Sequence, residues 1–193
     1  MPTNIILAST SPYRRALLSQ LKVPFDCQNP HIKESLLAQE SAADAAFRLA
    51  GLKAMWVAKE HPDCIVIGSD QLAACEGSIL GKPGSYKNAF AQLQSMAGKA
   101  ITFYTGLCVV YGPQKHQLVE QYQVHMRPLT DQQIDYYLQQ EQPYDCAGSF
   151  KSEGLGISLF SSMHGKDPNT LIGLPLITLT GILHELGQGP LSA

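Results

Sequence analysis

An uninterrupted apolar run at residues 64–67, which ends in Gly68, Ser69 and Asp70, constrains the fold of this chain more than any other feature. Such a run is typical of a β-strand that is buried on both faces. We expect the strand to end at this polar triplet, with the Asp70 carboxylate just beyond it, where open α/β sheets bind ligands. Gly68 has no side chain, so a ligand or another backbone segment can approach closely. The alternative is that Ser69 and Asp70 form only a turn.

The length and composition of the chain indicate one globular domain that spans residues 1–193. The net charge of −2 argues against a nucleic-acid-binding protein. The five cysteines include no C-x-x-C pair, which argues against a disulfide framework or a zinc site and indicates reduced thiols in a cytoplasmic protein. The sequence has neither a signal peptide nor an apolar run of the roughly 18 residues that span a membrane, so we expect no membrane partner.

Hydrophobic periodicity and capping signals predict an alternation of strands and helices. The predicted strands cover residues 4–8, 23–28, 64–67 up to the polar triplet, 101–111, 117–126 and 156–160, with a hairpin over 71–80. The predicted helices cover residues 12–22, 41–60 and 88–96, a further helix begins after Thr130, and the last covers 173–186. Pro24 indicates that the second strand lies at a sheet edge, and the T-x-x-Q pattern at Thr130 is a capping box.

Two cations stand in the first turn of the predicted helix 12–22, where the helix dipole favours anions. Arg14 and Arg15 are each unfavourable there by about 0.3–1 kcal/mol unless an anion is bound. Ser9 and Ser11 lie beside them, and hydroxyls, free backbone N–H groups and guanidinium groups together suit a phosphate. We therefore favour an anion site over the alternative of two solvated surface arginines.

Further cations and carboxylates lie elsewhere in the chain. Lys53 lies on the apolar stripe of the predicted helix 41–60, where its ammonium either extends to the rim or faces a polar cleft. Lys82 lies in a constrained turn, and Glu34 lies in a polar loop. Polyphosphate hydrolysis uses cations to neutralise phosphate oxygens, and carboxylates such as Asp70 to hold a hard divalent ion or to orient the attacking water. The chain contains both kinds of group.

Several short segments together make the sequence resemble the Maf family of nucleotide pyrophosphatases. Each segment is weak by itself, but they occur in the family's order over nearly the whole chain. The matching segments are residues 7–12 with Arg14 and Arg15, residues 49–50 with 53–54, and residues 67–70, 80–83, 105–106, 147–150 and 173–176.

The resemblance implies an α/β fold with a long mixed, twisted sheet, flanking helices and a central cleft, similar to the inosine triphosphate pyrophosphatases. It also implies hydrolysis of a nucleoside triphosphate to a monophosphate and pyrophosphate with a divalent cation, Mg²⁺ or Mn²⁺, and a homodimer is one candidate assembly. Asp70 becomes the catalytic or metal-binding carboxylate, and Glu34 a second metal carboxylate. The phosphate contacts become Ser9, Arg14, Arg15, Lys53 and Lys82.

Three positions make the chain resemble the branch that acts on 7-methyl-GTP. The branch that hydrolyses dTTP and UTP typically has Arg, Thr and Gln where this chain has Tyr13, Gln71 and Glu153. A 7-methylated guanine is a cation that an aromatic face attracts by about 0.5–2 kcal/mol, and a carboxylate can accept hydrogen bonds from its ring edge. Alternatively, Tyr13 is a packed surface aromatic and Glu153 a loop acid. The competing functions are a dTTP/UTP pyrophosphatase of the same fold and a non-catalytic nucleotide-binding regulator of cell division.

Overall fold

The computed structural model describes residues 4–191, which form seven β-strands and six α-helices. The strands are β1 Ile5–Leu7, β2 Phe25–Cys27, β3 Ile65–Cys75, β4 Ser78–Leu80, β5 Ala100–Tyr111, β6 Gln114–Met126 and β7 Phe160–Gly165. The helices are α1 Pro12–Ser19, α2 Ala42–Ala58, α3 Tyr86–Met96, α4 Asp131–Glu141, α5 Asn169–Ile172 and α6 Leu176–Glu185. Short 3-10 helices cover Ala147–Ser149 and Leu155–Leu159.

The strands form one mixed sheet, as predicted. Six strands follow the order β2-β1-β3-β5-β6-β7, and β4 pairs with β3. β1 is parallel to both β2 and β3, whereas the β3–β4 and β6–β7 pairs are antiparallel. β2 lies at the edge, in agreement with the position of Pro24 just before it.

The chain separates into two compact units. Unit 1 contains residues 4–71, 104–120 and 167–191, and unit 2 contains residues 72–103 and 121–166. The prediction that 1–193 is a single domain stays a prediction. In the part of the chain that the structure describes, no helix is both long and apolar enough to cross a membrane.

Unit 1 has a hydrophobic core on each face of its strands, because successive strand residues point to opposite faces. One core includes the odd-numbered residues Ile65 and Ile67 of β3 together with leucines of α1 and α6. The opposite core includes the even-numbered Val66 together with small residues of α2, among them Ala50 and Ala54. Such two-sided burial is the arrangement that the apolar run at 64–67 predicts.

Two glycines allow α2 to approach the sheet closely. A Cβ atom added to Gly68 of β3 would lie 2.4 Å from Ala50 O, and one added to Gly106 of β5 would lie 2.1 Å from Ala46 O. No side chain fits at such distances, so these two positions fix how closely α2 packs. The expectation that Gly68 permits close approach is confirmed, and the approaching backbone is that of α2.

Unit 2 contains α3 and α4, which pack against each other, and a group of three aromatic rings in contact. The Phe150 ring meets Phe103 and Phe160 edge-on, with centroids 5.5 and 4.8 Å away. The capping box predicted at Thr130 is present, with Gln133 as its second member.

Three sequence predictions are corrected. β3 does not end at Asp70 but continues to Cys75, because its second half is mostly buried and pairs with β4. The strand predicted over 156–160 is wrong: Leu155–Leu159 is a 3-10 helix, where the Ser158 hydroxyl bonds to the Leu155 carbonyl, and β7 starts at Phe160. The last long helix begins at Leu176 instead of residue 173, and the short helix α5 precedes it.

Candidate active site

The candidate site in unit 1 is built around β3, where neighbouring side chains point to opposite faces of the sheet. Asp70 follows the even-numbered series that faces α2. Ser69 and Gln71 follow the odd-numbered series that faces the other side. Because Asp70 lies within the strand rather than beyond its end, its backbone is fixed by the sheet. The polar triplet is therefore not a turn.

On the α2 face, Lys53, Asp70 and Glu34 form an ionic cluster. The Lys53 ammonium nitrogen lies 2.5 Å from Asp70 Oδ1 and 2.8 Å from Glu34 Oε1. Lys53 is 4% exposed and Asp70 is 7% exposed, whereas Glu34 lies at the surface. The Lys53 ammonium therefore does not extend to the rim but faces inward, towards Asp70. A buried ammonium is tolerated only with such partners, because burying an unpaired charge is costly.

Arg14 lies near the same carboxylates but is held by a different contact. Its Nε donates to the carbonyl of Gly173 at 2.9 Å, and its backbone N–H donates to the hydroxyl of the N-cap residue Ser11. Burial lowers the pKa of the Arg14 guanidinium, while the negative charges of Asp70 and Glu34 act in the opposite direction. The side chain remains cationic, because an arginine titrates far above neutral pH.

Ser9 and Arg15 share a small cavity of about 170 Å³, which Ser11 and Cys27 also line. Ser9 is buried, and its Oγ accepts a hydrogen bond from the Ser11 backbone N–H at 3.1 Å. Arg15 is exposed. Hydroxyl groups beside a guanidinium suit an anion, so this cavity has the chemistry of the predicted phosphate cradle.

The three positions assigned to base choice lie in different surroundings. Tyr13 is half-buried on α1 of unit 1. The Gln71 amide donates to the carbonyls of Thr170 and Leu171 in the same unit. Glu153 is exposed in unit 2, where its carboxylate accepts a hydrogen bond from the Ser152 hydroxyl.

Lys82, the remaining predicted phosphate contact, is exposed in unit 2, directly after β4. The structure thus brings together Lys53, Asp70, Glu34 and Arg14 within unit 1, and it places Lys82 and Glu153 in the other unit.

Sequence reasoning missed the hydrogen-bond partners of two further buried polar groups of unit 1, Ser69 and Asp167. The Ser69 hydroxyl lies 2.8 Å from Gly106 O and 2.9 Å from Gly173 O. Asp167 is fully buried and accepts hydrogen bonds from the backbone N–H groups of Asn169 and Ile177. The only sequence signal was the Asp-Pro-Asn triplet at 167–169, which is typical of a turn and gives no partner across the fold.

The donor set for a metal ion is small. Among residues 4–191, no group of three or more His, Cys, Asp or Glu side chains is arranged to hold a metal ion. The carboxylates of Asp70 and Glu34 each contact the Lys53 ammonium through one oxygen, and the second oxygen of each is a potential metal ligand. Two carboxylates suit Mg²⁺ or Mn²⁺ only when phosphate oxygens and water complete the coordination shell. The residues therefore fit a cation that is carried by the phosphates.

The chain is similar to known proteins over nearly its whole length. A family model described as "Maf-like protein" matches residues 4–186. A protein from Colwellia psychrerythraea named 7-methyl-GTP pyrophosphatase is 52% identical over 186 residues, which cover 95% of this chain and 92% of the relative. A protein of the same name from Nitrosococcus oceani is 50% identical, with 96% and 94% covered.

The likeness extends to a solved structure. The Staphylococcus aureus Ham1 protein matches with a TM-score of 0.55 at 11% sequence identity, over 95% of this chain and all of the other. At so low an identity the match concerns the fold alone. The predicted fold class, a mixed α/β sheet with flanking helices, is confirmed.

Proposed function

This chain belongs to the Maf family, and from that premise we propose that it hydrolyses 7-methyl-GTP to 7-methyl-GMP and pyrophosphate. The observation that carries the reaction class is the ionic cluster, in which a buried ammonium and two carboxylates meet. The substrate follows the names of relatives that are 50–52% identical over more than nine-tenths of both chains.

In this mechanism Asp70 receives the proton of the attacking water. The water oxygen forms a bond to the α-phosphorus, the bond from that phosphorus to the bridging oxygen breaks, and pyrophosphate leaves. Lys53 keeps the Asp70 carboxylate oriented, because its ammonium nitrogen lies 2.5 Å from Oδ1. Lys53 and Arg14 also neutralise the charge of the phosphate oxygens.

Other cations bind the rest of the polyphosphate. Ser9 and Arg15 bind phosphate in their shared cavity, and Lys82 supplies a further ammonium. Asp70 and Glu34 would hold a divalent cation, Mg²⁺ or Mn²⁺, that arrives with the substrate. When bound, such a cation supplies further charge neutralisation at the phosphate oxygens.

Base choice is assigned to Tyr13, Gln71 and Glu153. The Tyr13 ring attracts the delocalised positive charge of 7-methylguanine, an interaction of about 0.5–2 kcal/mol. The Glu153 carboxylate accepts hydrogen bonds from the ring edge of the base and balances the same charge.

A substrate panel tests the proposal. The purified protein is incubated with 7-methyl-GTP, GTP, dTTP and UTP in Mg²⁺ or Mn²⁺, and the products are identified as pyrophosphate or orthophosphate. We expect the highest kcat/KM with 7-methyl-GTP and pyrophosphate as the product. A preference for dTTP or UTP would assign the chain to the other branch, and binding without turnover would favour the regulator.

A further inference from the structure

We propose that Gln71 is a positioning residue that orients the Arg14 guanidinium through the segment Asp167–Gly173, hereafter the 167–173 segment. The segment receives hydrogen bonds from Gln71 near its middle and from Arg14 at its end. This inference rests on the proposed function, in which Arg14 binds phosphate. Gln71, which is assigned above to base choice, would then also affect how the phosphate groups of the substrate are bound.

The start of the 167–173 segment is fixed by a buried carboxylate. Asp167 is 0% exposed. Its Oδ1 lies 2.8 Å from both the backbone nitrogen and the side-chain nitrogen of Asn169, and its Oδ2 lies 2.7 Å from the backbone nitrogen of Ile177. Three hydrogen bonds converge on this one buried carboxyl group, so this end of the segment has little freedom.

The middle of the segment is held by neutral side chains from the sheet. Gln71 Nε2 lies 2.7 Å from Thr170 O and 3.0 Å from Leu171 O, and it lies 3.1 Å from Thr105 Oγ1. The Thr105 hydroxyl in turn donates to Thr170 O at 2.8 Å. An amide nitrogen carries two hydrogens, so the Gln71 amide has acceptors for both within the protein.

The end of the segment holds the arginine. Gly173 O accepts a hydrogen bond from Arg14 Nε at 2.9 Å, and Ser69 Oγ lies 2.9 Å from the same oxygen. With Nε committed to a backbone carbonyl, the direction of the planar guanidinium is set, and its terminal nitrogens are left for a phosphate. A shift of the 167–173 segment therefore changes where Arg14 presents its charge.

This role differs measurably from a direct contact between Gln71 and the base. Loss of a contact to the base weakens the binding only of ligands that have a base. Loss of a positioning effect also weakens the binding of inorganic tripolyphosphate, which has no base. Gln71→Met keeps the length and volume of the side chain but removes the donor. Gln117→Met is the matched control, because the Gln117 amide also donates to a backbone carbonyl of unit 1, that of Phe47 at 2.6 Å.

The first measurement is the hydrogen-exchange rate of the Arg14 Nε–H by NMR, with the resonance assigned by its loss in Arg14→Lys. We expect exchange to be about 2- to 10-fold faster in Gln71→Met, the factor that corresponds to the energy of one typical neutral hydrogen bond. The dissociation constant of tripolyphosphate should rise by a similar factor. Both quantities should stay at their wild-type values in Gln117→Met.

The second measurement is a double-mutant cycle. In an Arg14→Ala background, Gln71→Met should no longer change the affinity for tripolyphosphate, because the group on which it acts is absent. Gln71→Asn retains the amide but is one methylene shorter, so it provides a second folded variant with the same expected direction.

An Arg14 exchange rate in Gln71→Met and Gln71→Asn that equals the rate in Gln117→Met would overturn the inference. So would a change in nucleotide kinetics that depends only on the base while tripolyphosphate binds as before. A wild-type protein that hydrolyses no nucleoside triphosphate would contradict the proposed function instead. In that case the exchange rate still decides whether Gln71 positions Arg14.

Discussion

The two faces of β3 carry different chemistry at adjacent residues. On the α2 face, Asp70 belongs to an ionic cluster with Lys53 and Glu34. On the other face, Gln71 and Ser69 make neutral hydrogen bonds to backbone carbonyls. The alternation of a single strand thus separates the groups proposed for chemistry from the groups that position the surrounding backbone.

The two faces should also respond differently to substitution. A typical neutral hydrogen bond contributes about 0.5–1.5 kcal/mol. Removal of one partner from a buried ion pair is much more disruptive, because the other charge stays buried without compensation. Substitutions on the α2 face should therefore reduce turnover strongly, and those on the Gln71 face should change binding modestly.

The largest effect is expected for Asp70→Asn. The substitution is nearly isosteric, so the protein should fold and bind nucleotide, but an amide cannot accept the proton from water. The loss of general-base catalysis lowers kcat by about 10²–10⁴-fold, which a pyrophosphate-release assay measures. Asp44→Asn, an exposed carboxylate in the first turn of α2, is the control. Near-normal turnover in folded Asp70→Asn would remove Asp70 from the centre of the site.

Lys53→Met should have the next largest effect. It keeps an unbranched side chain at a buried position but removes the charge that pairs with Asp70 and that we propose contacts phosphate. We expect kcat/KM to fall by about 10²–10³-fold, comparable with the loss of one preorganised electrostatic donor, and stability in urea to fall as well. Lys99→Met removes a lysine whose pair with Glu76 is exposed and should change neither quantity much. Equal effects of the two variants would contradict the special role of Lys53.

Gly68→Ala tests whether the distance between α2 and β3 sets the ionic cluster. The new methyl group would lie 2.4 Å from Ala50 O, so α2 has to move. We expect a loss of about 1–3 kcal/mol in stability from overpacking and a fall in turnover of about 10²-fold from the displacement of Lys53. In Gly181→Ala, within α6, the methyl group meets no atom within 4 Å, and the variant should be as stable as the wild type or more stable. Full activity of Gly68→Ala would show that the cluster tolerates a shifted helix.

The smallest effect is expected for Glu40→Gln. This substitution removes the ion pair between Glu40 and Arg48 of α2, which lies outside the ionic cluster. Hydrogen bonds from Arg48 lower the pKa of Glu40 to about 2. This folded-state pKa lies below the pKa of about 4.3 in the unfolded chain. The pair therefore stabilises the protein fully at pH values above about 4.3, and its contribution is lost as the pH falls towards 2. Urea unfolding should show a small advantage of the wild type at pH 7 that shrinks below pH 4, with unchanged turnover. A turnover defect in Glu40→Gln would show that the ionic face extends further than the cluster.

The sequence predicted individual elements well where the signal was local. The capping box at Thr130 and the edge position of the strand after Pro24 both follow from residue types a few positions apart. The end of β3 was predicted wrongly, because the polar triplet 68–70 was taken as the end of the strand, whereas these residues stay within it and the strand continues into the hairpin with β4. The homodimer, the cytoplasmic location, the metal ion and the absence of a nucleic-acid partner stay predictions.

By itself the sequence determined the kinds of groups that are available: a buried strand, a helix with a lysine on its apolar stripe, cations beside hydroxyls, and motifs that identify the family. Only the tertiary structure decided which of these groups meet. Lys53 is 17 residues from Asp70 in the chain, and Arg14 is 159 residues from Gly173. Local periodicity gives the face of an element on which a side chain lies, but the partner on that face depends on how the chain returns. Here two glycines, one in β3 and one in β5, allow α2 to pack closely on the sheet, and a buried aspartate fixes the 167–173 segment. These long-range contacts bring scattered polar residues together into a candidate site.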